Sequence, residues 1–178
     1  MPTCTSRVAA AGGLQIEALA RRHERAGFTC GAEALDRYLR QQARQDAEKH
    51  VAAPFVLIEP PSVEVLGYYT LSASIVDVTD IAAGLARKLP RYPQLPVTLI
   101  GRLAVHERLK GQGCGALLLM DALRRSLAHA AEIAAMAVVV DAKDDAAVNF
   151  YRHFDFQPLQ HDAKRMVLPM KTVAALFG

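Results

Sequence analysis

The chain has 178 residues, 52% of them apolar, and a formal net charge of +3. That is enough apolar material for one domain with a real core, and it excludes an intrinsically disordered chain. No apolar run approaches the roughly 18 residues of a membrane-spanning helix, and no charged segment followed by an apolar one marks the start for secretion.

The three cysteines, Cys4, Cys30 and Cys114, are odd in number and widely scattered, which fits a reducing cytoplasm rather than a disulfide framework. The six histidines are scattered too, without metal-ligand spacing, so no metal site is expected. Basic residues gather at Arg21, Arg22, His23 and Arg25; at Arg87, Lys88 and Arg91; at Arg124 and Arg125; and at Lys164 and Arg165. Each group is either a solvated face or part of a surface for an acidic ligand or RNA.

In chain order, residues 1–13 are small and polar and read as a flexible extension. Leu14 to Leu19 alternates and predicts a strand. Arg21 to Cys30 is a polar connection. Leu35, Tyr38, Leu39, Ala43 and Ala47 recur at helical spacing and predict a helix from Ala32 to about Glu48, after Gly31. Pro54 to Glu59, the turn Pro60-Pro61-Ser62, and Val65 to Ser72 predict an antiparallel hairpin, its second strand continuing towards Val78. A short helix is expected within Ile81 to Leu89, then a loop from Lys88 to Pro96 because of Pro90, Pro93 and Pro96.

The organising stretch follows. Val97 to Val105 predicts a strand; Lys110-Gly-Gln-Gly-Cys-Gly115 is a glycine-rich loop; and Gly115 to about Ala131 predicts an amphipathic helix with Leu119, Ala122, Leu123, Leu127 and Ala130 on its apolar stripe. A strand, a loop with Gly111, Gly113 and Gly115, and a helix start together make an anion site. Glycine lets the backbone approach a phosphate, and the helix start offers unpaired N–H groups and the positive end of its dipole. Ala135 to Asp141 predicts a buried strand. Ala146 to His153 predicts a short helix, Gln157 and Pro158 end that region, and Arg165 to Met170 predicts a last strand. A strand–helix–strand crossover after antiparallel strands implies an α/β fold, a central mixed sheet (α+β) with helices on both sides.

These segments resemble the GNAT N-acetyltransferase superfamily. The resemblance is carried by Leu103-Ala-Val105 at the strand end, by Lys110–Gly115, which is similar to the family's acetyl-CoA loop, and by Asn149-Phe-Tyr-Arg-His-Phe-Asp-Phe156. A narrower resemblance links the chain to the GNAT toxins of type II toxin–antitoxin modules, which acetylate aminoacyl-tRNA. It rests on Phe28-Thr-Cys-Gly31 with Ala34–Leu39, Val65–Ser72, Ile100–Val105 and Ala142–Phe156. Two positions depart from the family pattern. Lys110 stands where Arg or Gln is usual and cannot reproduce a guanidinium fork; Asp155 stands where glycine is usual, and Asp tolerates the left-handed turn.

The resemblance implies a single GNAT domain over residues 14–172 and a tail over 173–178. It implies acetyl-CoA as cosubstrate, bound through Leu103, Ala104 and Val105, through Lys110, Gly111, Gln112, Gly113, Cys114 and Gly115, and through Asn149. Tyr151 is implied as the general acid for the departing thiolate, with backbone N–H groups near Val105 for the oxyanion and Cys114 as a spectator. Glu107, His106 and Asp141 are weak candidates for a base, and none is required: an α-amino group with a pKa near 8 is already partly neutral at pH 7. The implied partners are aminoacyl-tRNA, a ribbon–helix–helix antitoxin and a second copy in a homodimer, with no membrane. Two rival readings stay open: an acetyltransferase acting on a small-molecule or protein amine, and a non-catalytic CoA-binding module.

Overall fold

The computed structural model describes residues 13–178, so the expected extension over 1–13 lies, Gly13 excepted, outside the described residues. The strands are β1 (Gln15–Ala18), β2 (Ala53–Ile58), β3 (Gly67–Asp77), β4 (Gln94–Val105), β5 (Ala137–Asp141), β6 (Gln157–Pro158) and β7 (Arg165–Pro169). The helices are α1 (Glu33–Arg37), α2 (Ala43–Glu48), α3 (Ala83–Ala86), α4 (Cys114–His129), α5 (Asp145–His153) and α6 (Met170–Ala175). The seven strands form one mixed sheet in the order β1-β2-β3-β4-β5-β7-β6, flanked by helices. β1–β2, β5–β7 and β6–β7 are antiparallel, while β4 and β5 are parallel, with Thr98 to Ile100 opposite Val138 to Val140. α4 is the crossover that this parallel pair requires.

The chain divides into two compact units. In the first, up to Thr70 together with Arg102–Asp121, the core joins Phe28, Tyr38, Leu39, Val56, Ile58, Val65 and Tyr68. Asp36 is buried there and accepts the Cys30 amide at 2.8 Å. His23, expected within a basic surface cluster, is instead buried: its Nδ1 accepts the Ala20 amide at 2.9 Å and its Nε2 meets Glu17 at 2.6 Å. In the second unit, Leu71–Gly101 and Ala122–Gly178, the core joins Val76, Ile81, Leu95, Val97, Ala137, Val139, Leu159 and Val167. Among the described residues no helix is long and apolar enough to cross a membrane.

The structure moves several boundaries. The helix expected over 32–48 is interrupted by a π-turn, Tyr38–Gln42, between α1 and α2. β4 starts at Gln94, inside the expected loop: Leu95 and Val97 are buried while Pro96 is exposed, and its carbonyl accepts the Met136 amide at 2.9 Å. Proline lacks a donor, but a strand position that needs only an acceptor accommodates it. The tail expected from residue 173 begins within α6, whose Val173 is buried. Asp155 does take a left-handed conformation, at φ 65°.

Gly67 opens β3 where two elements converge. A Cβ there would lie 3.0 Å from Leu118 Cδ1 and 3.1 Å from the Ala104 carbonyl oxygen. Gly67→Ala is therefore expected to destabilise the fold by about 1–3 kcal/mol in urea unfolding, as overpacking does. Asp36 supplies a pH-dependent term. Burial alone would raise its pKa, but hydrogen bonds from Cys30 and Thr29 and the charge of Arg40 hold it below the ordinary carboxylate value. A depressed folded-state pKa stabilises above the unfolded value near 3.9 and is lost as pH falls through the folded value. Unfolding midpoints measured from pH 7 to pH 2 should fall below about pH 4, and less steeply in Asp36→Asn.

Candidate active site

The glycine-rich turn is built as its sequence requires. β4 ends at Val105, a single 3₁₀ turn covers Glu107–Leu109, and Gly111 and Gly113 adopt φ of 75° and 82° before α4 begins at Cys114. Both glycines occupy the left-handed region that side chains disfavour. Nothing beyond the adjacent residues lies within 4 Å of where a Cβ would stand at either position, so backbone conformation rather than crowding selects glycine here. The Leu117 amide donates to the Gly113 carbonyl at 3.1 Å, so the amides of Cys114, Gly115 and Ala116 precede the first intrahelical bond of α4. These are the orphan donors of a helix start, beside the positive end of a helix of 16 residues. The Lys110 and Gln112 amides turn inward, onto the Glu107 carbonyl at 3.2 Å and the Leu109 carbonyl at 3.3 Å.

The head of the turn is tied to the segment before α1. The Glu107 amide donates to the Thr29 carbonyl at 2.9 Å, and Lys110 Nζ donates to the Cys30 carbonyl at 2.5 Å. Lys110, which the sequence places as a cationic contact for the cofactor, thus spends one of its donors on the protein's own backbone. Cys114 is buried, and burial pushes its thiol pKa up. Thiolate is the nucleophilic form of cysteine, and this environment disfavours it. Ala104 is buried, while Leu103 and Val105 are partly exposed.

The second unit holds Tyr151. α5 is capped by Asp144, whose carboxylate accepts the Ala147 amide at 2.8 Å. The cap sets the helix that places Asn149 on an exposed face and Tyr151 on a buried one. The Tyr151 ring packs edge-on against Phe150 and Phe156, with centroids at 5.2 and 5.5 Å. Burial, and then the charge of Asp141, raise the phenol pKa above its ordinary value. The group therefore carries its proton at neutral pH. Asp141 ends β5 and faces Arg165 of β7, with Nε to Oδ1 at 3.7 Å.

One residue escaped the sequence reading and another is placed differently from it. Arg102 stacks its guanidinium over Tyr38, 3.6 Å from the ring centroid; an arginine inside the apolar run Ile100–Val105 was the signal. Arg165, read as half of a basic surface pair, is partly buried and reaches Ser74 Oγ at 3.4 Å. Arg87, Lys88 and Arg91 are exposed, and Arg87 and Arg91 line an open recess with Ala83, Ala86 and Leu89. No group of three or more His, Cys, Asp or Glu suited to a metal ion occurs among the described residues.

The chain matches the family described as "Acetyltransferase (GNAT) domain" over residues 73–172. It belongs to the GNAT acetyltransferase family. A Mycobacterium tuberculosis protein named tRNA-acetylating toxin is 35% identical over 151 residues, covering 85% of this chain and 89% of the relative. A tyrosine-to-phenylalanine mutant of KacT superimposes with a TM-score of 0.87 at 27% identity, covering 93% of this chain and 99% of that one. AtaT complexed with acetyl-methionyl-tRNAfMet gives a TM-score of 0.86 at 28% identity, with 93% and 99% covered. AtaT has also been seen, as a tyrosine-to-phenylalanine mutant, with acetyl-CoA and the C-terminus of the antitoxin AtaR, at a TM-score of 0.79, 27% identity and 93% and 98% coverage.

The tie at the head of the GNAT loop can be cut by one substitution. Lys110→Met should cost about 1 kcal/mol in chemical denaturation, the usual scale of a partly exposed hydrogen bond. Amide exchange should quicken at Gly31 and Ala32, and Lys110→Arg should restore part of the protection.

Proposed function

We propose that the protein transfers the acetyl group of acetyl-CoA to the α-amino group of aminoacyl-tRNA, a toxin activity that blocks translation and is restrained by an antitoxin. One observation carries this reading: the likeness, along nearly the whole of both chains, to AtaT seen with acetyl-methionyl-tRNA. The named relative from Mycobacterium tuberculosis supports it independently. Residues 14–172 act as one catalytic domain on this reading.

The roles follow from the residues. Acetyl-CoA lays its pyrophosphate against the amides of Gly111, Gly113, Cys114 and Gly115 at the start of α4, while Lys110 and Gln112 shape the turn that presents them. The pantetheine arm pairs with the backbone of Leu103, Ala104 and Val105 and bonds to Asn149. The acceptor enters as an α-amino group, whose ordinary pKa near 8 leaves part of it neutral at pH 7.

The neutral nitrogen attacks the thioester carbon, a C–N bond forms and the C–S bond breaks. Nitrogen gives up its remaining surplus proton to water, and sulfur takes one from the Tyr151 phenol, which solvent then reprotonates. Starting from the ammonium ion, two protons leave nitrogen, one ends on sulfur and one is released. A phenol held protonated by burial and by Asp141 is stocked for that delivery. The basic recess at Arg87 and Arg91 offers phosphate contacts for tRNA.

Incubation with labelled acetyl-CoA and a mixed pool of charged tRNA tests the assignment. Label should appear on aminoacyl-tRNA with wild type, fall about a hundredfold or more with Tyr151→Phe, and stay within about twofold with Cys114→Ala. Label unaffected by Tyr151→Phe removes the acid assignment. No label on tRNA, with acetyl-CoA binding intact, removes the substrate.

A further inference from the structure

We propose that Asp141 is the carboxylate that receives the α-ammonium group of the aminoacyl acceptor, held in place by Arg165 as its positioning residue. This rests on the aminoacyl-tRNA reading above and names the contact that reading lacks. Every aminoacyl ester offers an α-ammonium, and its own carboxylate is esterified and cannot pair with it. A carboxylate with open lone pairs is the complementary group.

Three acidic residues lie around the β5–α5 turn. Asp144 is committed, capping α5 through Ala147 and pairing with Lys143 at 3.3 Å. Asp145 lies in the first turn of α5, where its charge complements the helix dipole. Asp141 differs. It follows four buried residues at the end of β5, and its side chain is 51% exposed.

Its neighbour explains how it is held. Asp141 and Arg165 are register partners across β5 and β7, so their side chains emerge on the same face. Arg165 is anchored through Nη2 to Ser74 Oγ at 3.4 Å. Its Nε is buried, has no hydrogen-bond partner, and lies 3.7 Å from Asp141 Oδ1. That separation gives charge attraction without a hydrogen bond. Arg165 thus orients the carboxylate while leaving its oxygens open to an incoming donor. Asp141 ends β5 and only residues 142–144 separate it from α5, the helix that carries Tyr151, and its charge contributes to the raised pKa of that phenol.

Steady-state kinetics on the full chain test this, with acetyl-CoA, charged tRNA and, as competitor, tRNA whose amino acid has been deaminated to the α-hydroxy acid. Asp141→Asn should raise KM for aminoacyl-tRNA about tenfold or more and leave KM for acetyl-CoA within about twofold. Wild type should bind the hydroxyacyl competitor much more weakly than aminoacyl-tRNA, and Asp141→Asn should lose that preference. Arg165→Gln should move KM in the same direction, with Arg165→Lys recovering part of the loss.

An unchanged KM for aminoacyl-tRNA, or an equal rise for both substrates, overturns the proposal. If Asp141→Asn does not fold, the wild-type comparison decides: equal competition by hydroxyacyl-tRNA overturns it, and weak competition supports it. A wild type that labels no tRNA refutes the substrate reading instead, and that outcome is separate because every comparison above starts from an active wild type.

Discussion

The turn between β4 and α4 is the constraint on which the rest depends. Two left-handed glycines let the chain leave a strand and enter a 16-residue helix whose first amides precede its first intrahelical bond. Glycine adopts both angles at the least cost. The turn is not left to itself: Glu107 and Lys110 hold the backbone of Thr29 and Cys30, and Asp36 holds the same segment from α1. A donor cluster fixed before the ligand arrives loses little ordering entropy on binding. Glycine freedom and a lysine tether therefore serve one end, a rigid shape that only a flexible residue can take.

Tyr151 shows how burial becomes chemistry. A phenol in water is a weak acid; placed among Phe150 and Phe156 with Asp141 nearby, it is weaker still. That is the state the proposed acid role asks of it, a proton kept until a thiolate forms. The same Asp141 gives the β5 end a negative charge, moderated by Arg165. On the proposed reading an acceptor with a low-pKa amine needs no strong base there.

Much of this was legible beforehand because the deciding signals are local. Gly111 and Gly113 between an apolar run and a helical stripe announce the turn, and Asn149–Phe156 announces the segment with Tyr151. What was missed depends on tertiary context. Pro96 reads as a loop residue until Met136 needs its carbonyl. β6 is only Gln157–Pro158, too short for a period, and exists because β7 pairs with it. α6 follows directly on Pro169 and is held by buried Met170 and Val173. His23 and Arg165 look like surface charges until Ala20 and Glu17, or Asp141 and Ser74, are brought to them.

The most direct test of the central claim is an amide-resolved titration of isotopically labelled protein with acetyl-CoA. The largest shifts should fall on the backbone amides of residues 111–116, with smaller ones along Leu103–Val105 and at Asn149. A complex in which those loop amides do not move, while another surface does, would contradict the assignment of the β4–α4 turn as the cofactor cradle.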